Sequence, residues 1–154
     1  MPANYSLHAI PIYWVIALYP HAYSQGLFKA ATNGQRNNTN PRGTSTLEHY
    51  RKCTPEAIYA EAERAEACHQ NSMENAPFFI GAVLAGNAVG LDVATMNTMV
   101  ASYIGLRLVY SILYVKIKTN KTSYLRSGTW GAGVAVLMTM FVKAGNKMNR
   151  SFGL

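Results

Sequence analysis

The sequence predicts an all-α protein, an integral membrane four-helix bundle, and three observations carry that expectation. The 154-residue chain is 49% hydrophobic and only 14% charged, against roughly 25% charged residues in soluble domains. It divides into four long segments of helical character, at 7–28, 57–90, 93–115 and 126–143, joined by polar stretches. The Lys and Arg residues sit at the ends of the apolar runs, as flanking residues do at a bilayer surface. The length suits one domain, so the chain reads as a single four-span membrane domain, 1–154.

The first span, LHAIPIYWVIALYPHAYSQGLF, is a run of 22 residues without Asp, Glu, Lys or Arg. That reaches the ~20 residues needed to cross a hydrocarbon core. His8, His21, Pro11 and Pro20 weaken it. Tyr13, Trp14, Tyr19 and Tyr23 read as interfacial aromatics. No basic residue precedes the run, as one would in a secretory signal, so it is expected to stay as an uncleaved helix.

Residues 29–55 are rich in Asn, Gly, Thr and Pro and read as an exposed loop carrying Lys29, Arg36, Arg42, Arg51 and Lys52. Thr54-Pro55-Glu56 then predicts a helix start, with Thr54 as N-cap and Pro55 at the first helical position. The second helix changes character along its length. Up to Asn75 it carries Glu61, Glu63, Arg64, Glu66, His69, Gln70, Asn71 and Glu74; beyond Pro77 it is apolar apart from Asn87. Pro77 is expected to kink it without ending it. The third span holds Arg107, and the fourth holds Gly128, Gly131 and Gly133, which would allow close helix contact.

Lys and Arg crowd the loops at 29–55 and 116–125, and the short turn at 90–92 has none. The positive-inside rule therefore places those two loops in the cytoplasm; the basic tail disagrees mildly. Net charge is +7, which suits an anionic ligand or lipid. The bases form no amphipathic stripe, so nucleic acid is not expected as a partner. Cys53 and Cys68, even with His49 and His69, match no zinc spacing and read as ordinary thiols, with no metal expected.

At 100° per residue, Asn71 and Asn75 each fall within about 20° of Arg64, with Glu74 at the margin of their stripe. Tyr103, Arg107, Tyr110 and Tyr114 fall within about 60° on the third helix. An Arg at membrane depth costs roughly 2.5–3.5 kcal/mol, so Arg107 should seek a partner, for which Glu74 is the expectation. These groups could be structural cross-links between helices. Their number, with Arg126 and Ser127 at the entry of the fourth span, also suits an extended anionic ligand at the cytoplasmic end.

The chain resembles the membrane-associated proteins in eicosanoid and glutathione metabolism, the MAPEG family of the microsomal glutathione transferases. The resemblance rests on Glu63, Arg64, Asn71 and Glu74 followed by Pro77-Phe78-Phe79, on Arg107, Tyr110 and Tyr114, and on Arg126-Ser127 with Tyr124 two residues before. It implies a homotrimer in the endoplasmic reticulum, with glutathione held between subunits by Arg64, Asn71, Glu74, Arg107, Tyr110 and Tyr114. It also implies that Arg126, with Ser127 and Tyr114, acts at the sulfur. A thiol with pKa near ~8.5 is mostly protonated at neutral pH, and a guanidinium beside it favours the nucleophilic thiolate. The function so implied is a glutathione-dependent transferase, with a possible peroxidase activity, acting on lipophilic electrophiles.

Two alternatives stay open. Ala67 stands where members often carry Arg, Gln70 where some carry Arg, and Trp130 where some carry Tyr. An isomerase or cyclase that rearranges a hydrophobic metabolite would fit that loss, with His69, Glu66 or Glu74 as acid or base. A lipid-binding, non-enzymatic member would fit too, although Arg126 and Ser127 are retained.

Overall fold

The computed structural model describes residues 2–35 and 37–151, and these form five helices and no strand. The helices are α1 (Ala9–Ala31), α2 (Thr44–Cys53), α3 (Glu56–Ala88), α4 (Val93–Lys116) and α5 (Asn120–Ser151). The short α2 corrects the expectation of a wholly irregular loop at 29–55. Its sequence, TSTLEHYRKC, brings Tyr50 to the inner side, where the ring stacks on Phe28 at 4.7 Å and joins Ala62. Burial of these rings offsets the polar composition that reads as loop.

The helix after it starts differently from expectation. Thr54 closes α2, its N–H donating to the Tyr50 carbonyl, and its hydroxyl caps nothing. Pro55 flanks α3, whose first helical residue is Glu56. From there α3 runs unbroken for 33 residues, through Pro77. At 1.5 Å per residue it is about 50 Å long, well beyond a ~30 Å hydrocarbon core. Its C-terminal end turns at Gly90, φ +64°, a left-handed conformation that favours glycine. Asp92 then caps α4 by accepting from the Thr95 N–H at 3.0 Å.

α3 is the central element, packing on α1, α4 and α5. The core between them is aromatic. Tyr13, Phe79 and Tyr103 lie 4.8–5.8 Å apart, centroid to centroid. Tyr13 is thus a core residue and not an interfacial one. Its hydroxyl donates to the Ser72 carbonyl at 2.5 Å, which lets a phenol be buried without an orphaned polar atom. Gly86 lets α4 approach α3, since a Cβ there would stand 2.5 Å from Met96 Sδ. Gly133 packs under the Tyr103 ring, but Gly128 and Gly131 face open space within the chain. Asn87, the polar exception in the apolar half, donates to Ser6 Oγ and accepts from Asn4, tying the N-terminal segment down.

Two helices, α4 and α5, are long and apolar enough to cross a membrane. Large apolar side chains lie exposed along them, among them Leu108, Val109, Ile112, Met138 and Val142. On α1, Ile12, Trp14, Val15, Leu18 and Tyr19 are exposed in the same way.

Candidate functional site

The stripe that starts with Arg64 faces α4. Arg64 donates from Nε to the Val115 carbonyl at 3.0 Å. Val115 lies in the last turn of α4, where carbonyls lack helical partners and the helix dipole favours a cation. Seven residues on, Asn71 meets Arg107. Both terminal nitrogens of Arg107 reach Asn71 Oδ1 at 3.3 Å, and Nη2 also donates to Ser72 Oγ at 2.8 Å. Arg107 is only 3% exposed. Asn75 folds back on the Asn71 carbonyl.

The expected Arg107–Glu74 pair is absent within the chain. Glu74 stands exposed on α3, accepting from Gln70 Nε2 at 3.4 Å. The terminal nitrogens of Arg107 instead meet neutral oxygens one turn earlier and its plane lies on an aromatic face, while its buried Nε has no hydrogen-bond partner among the described residues. Its guanidinium lies 4.5 Å from the Tyr110 ring centroid. Hydrogen bonds to a charged group contribute about 1.5–3 kcal/mol, and a desolvated cation–π contact about 2. Together these exceed the insertion cost of one Arg, so no carboxylate is needed.

From Arg107 the contacts continue as a ladder. Tyr110 meets Tyr114 edge to face at 5.4 Å, and Arg126 of α5 lies 4.2 Å from the Tyr114 centroid. Asn71, Arg107, Tyr110, Tyr114 and Arg126 are thus joined across three helices. Ser127 is not joined to them: it is exposed, with its hydroxyl on the Ser123 carbonyl. Ser72, which anchors Arg107, was not singled out by the sequence pattern. Its signal is present, however, as a small hydroxyl next to Asn71.

A second polar group lies on the other side of α3. His21 Nδ1 meets Glu66 Oε2 at 2.8 Å, and His69 Nδ1 meets the Ala17 carbonyl at 2.7 Å. The two imidazole rings are 5.1 Å apart. Arg42 reaches Glu66 Oε1 at 3.4 Å. A groove of about 550 Å³ opens beside them, lined in part by Gln25, Arg42, Glu63, Ala67, His69 and Gln70. Cys53 and His49, by contrast, pair with each other on the exposed side of α2, remote in the chain from the buried Cys68.

The sequence pattern of the MAPEG family matches residues 8–146, nearly the whole chain. The chain belongs to the MAPEG family. The family is membrane-associated, and its functions lie in glutathione transfer and eicosanoid metabolism. Its members include glutathione transferases and isomerases. No curated protein and no solved structure shows a significant match to the chain.

Proposed function

We propose that the protein is a glutathione-dependent transferase of the endoplasmic reticulum membrane, acting on lipophilic electrophiles. The observation that carries this reading is the ladder Asn71–Arg107–Tyr110–Tyr114–Arg126. It sets a partly exposed guanidinium at one end of a run of buried polar groups. Arg126 stays charged when half-buried and can hold a thiolate by a charge-assisted hydrogen bond. Tyr114 fixes its direction through the ring face, and Ser127 flanks it. The thiolate attacks the electrophilic carbon; the carbon–sulfur bond forms as the leaving group departs, or as an epoxide opens to an alcohol.

In this reading four helices, α1, α3, α4 and α5, cross the membrane, and the loops 29–55 and 116–125 face the cytoplasm. The polar half of α3 rises from the bilayer and supplies the glutathione wall, with Arg64, Asn71 and Glu74. Glu74, exposed in the single chain, faces a neighbouring copy in a homotrimer and receives the glutathione amine there. Arg42 lines the same groove as Ala67 and provides a cation on the side where the helix lacks one.

An isomerase or cyclase is the second reading. It is favoured by Ala67 and by the acids Glu63 and Glu66 in the same groove, which repel a carboxylate ligand. Product mass separates the two. Incubation with glutathione and an electrophile such as a halogenated nitrobenzene should give a thioether with wild-type protein, at a rate strongly reduced in Arg126→Ala. Unchanged turnover in Arg126→Ala, or only products of unchanged mass across lipophilic substrates, would contradict the transferase reading.

A further inference from the structure

His21, Glu66 and His69 are not used by the ladder, and they form a group of their own. Their ligand atoms all lie within 4.8 Å of one another. The three come from two helices, one from α1 and two from α3 at i and i+3, a spacing that puts both on one helical face. We propose that this is a binding site for a divalent transition metal, with zinc(II) the best fit, bridging α1 and α3 at the groove.

The protonation pattern supports it. His69 Nδ1 donates to the Ala17 carbonyl at 2.7 Å, which fixes the tautomer and leaves Nε2 with a free lone pair. Metal-binding imidazoles are held in this way, by a carbonyl or carboxylate on the other nitrogen. The Glu66 oxygens are met by His21 Nδ1 on one side and Arg42 on the other. Two imidazoles and one carboxylate make a three-ligand set that zinc accepts with one position left for water.

Ligands about 2.1 Å from a tetrahedral zinc lie ~3.4 Å apart. His21 Nδ1 and Glu66 Oε2, at 2.8 Å, stand closer than that, while the group as a whole lies within 4.8 Å. The fit therefore requires a small rearrangement in which His21 and Glu66 part to admit the ion; both are half-buried and can do so by rotation of their side chains. The proton now bridging His21 Nδ1 and Glu66 leaves to solvent as the metal takes its place. The fourth position opens toward the groove, where Gln25, Glu63 and Gln70 provide a wet lining. The site does not depend on glutathione, which is kept out of the test.

The full chain in detergent, stripped with a chelator, is titrated with cobalt(II) and then with zinc(II). The expected result is one cobalt(II) per chain, with visible d–d absorption of a nitrogen- and oxygen-ligated ion that zinc(II) displaces. His69→Gln and Glu66→Gln each lower the affinity at least about tenfold, and His21→Gln does so without removing the buried imidazole. Zinc(II) also raises the thermal midpoint of wild type but not of His21→Gln. Absence of the band overturns the proposal. So does a band that persists in all three variants, or one that disappears in Cys53→Ser, which would place the ion on the exposed Cys53–His49 pair.

Discussion

On the side of α3 that faces α4, Arg107 is 3% exposed and held by Asn71, Ser72 and the Tyr110 ring, all of them neutral. On the side that faces α1, Glu66 and His21 are half-buried and paired with each other, and Glu66 and His69 line a groove. The first arrangement closes around a single cation; the second leaves ligand atoms available. The difference follows from depth. A sunken charge draws its partners from the protein, since little water reaches it; at Arg107 both terminal nitrogens are met and only Nε is left without a partner among the described residues. A charge at the edge of a groove can be partnered loosely, and a loose set is free to take a ligand. On these grounds the Arg107 end of the ladder is rigid support, and the ends that remain reachable, Arg126 and the His21–Glu66–His69 group, are where molecules bind.

Four substitutions sharpen that comparison. The largest effect is expected at the reachable end of the ladder. Arg126→Ala should lower transferase turnover by about 10²–10³-fold, the range for removing one donor from a developing or stored anion, while far-ultraviolet circular dichroism stays unchanged. At the sunken end, Arg107→Met should act on stability. It removes the donor shared by Asn71 and Ser72, which keep only the Asn75 amide and the Cys68 carbonyl, at about 1–3 kcal/mol, read as a lower thermal midpoint in detergent. Gly86→Ala should cost about 1–3 kcal/mol, because the new Cβ displaces Met96 from the α3–α4 contact. The smallest effect is expected on the open side. His21→Gln should change the stability of the metal-free protein by less than ~1 kcal/mol, since a partly exposed ion pair contributes little. A larger loss there than in Arg107→Met would reverse the distinction between the closed and the open face.

The helical character of the chain and the continuity of α3 through Pro77 could be read from the sequence, because long periodic or apolar segments leave little choice of conformation. The stripe of Arg64, Asn71 and Asn75 was equally legible, since helical phase is local arithmetic. What each stripe residue touches was not. Arg107 was expected to seek the nearest acid, Glu74, but two neutral oxygens and a ring meet its charge. Charge complementarity suggests partners; packing depth selects them. α2 was hidden because its ten residues are polar overall, and its one decisive contact, Tyr50 on Phe28, joins residues 22 positions apart. The His21–Glu66–His69 group was hidden for the same reason. His21 on α1 lies 45 residues and more before Glu66 and His69 on α3, and no local spacing announces that it joins them.

The most direct test of the proposed chemistry is the ionisation of bound glutathione. Purified protein in detergent at neutral pH is titrated with glutathione to millimolar concentration while the ultraviolet absorbance of thiolate is followed. Saturable thiolate absorbance in wild type, and its loss in Arg126→Ala with glutathione binding still detectable by calorimetry, is the result expected if Arg126 holds the sulfur. No saturable binding in wild type, or the same thiolate signal in Arg126→Ala, would contradict it.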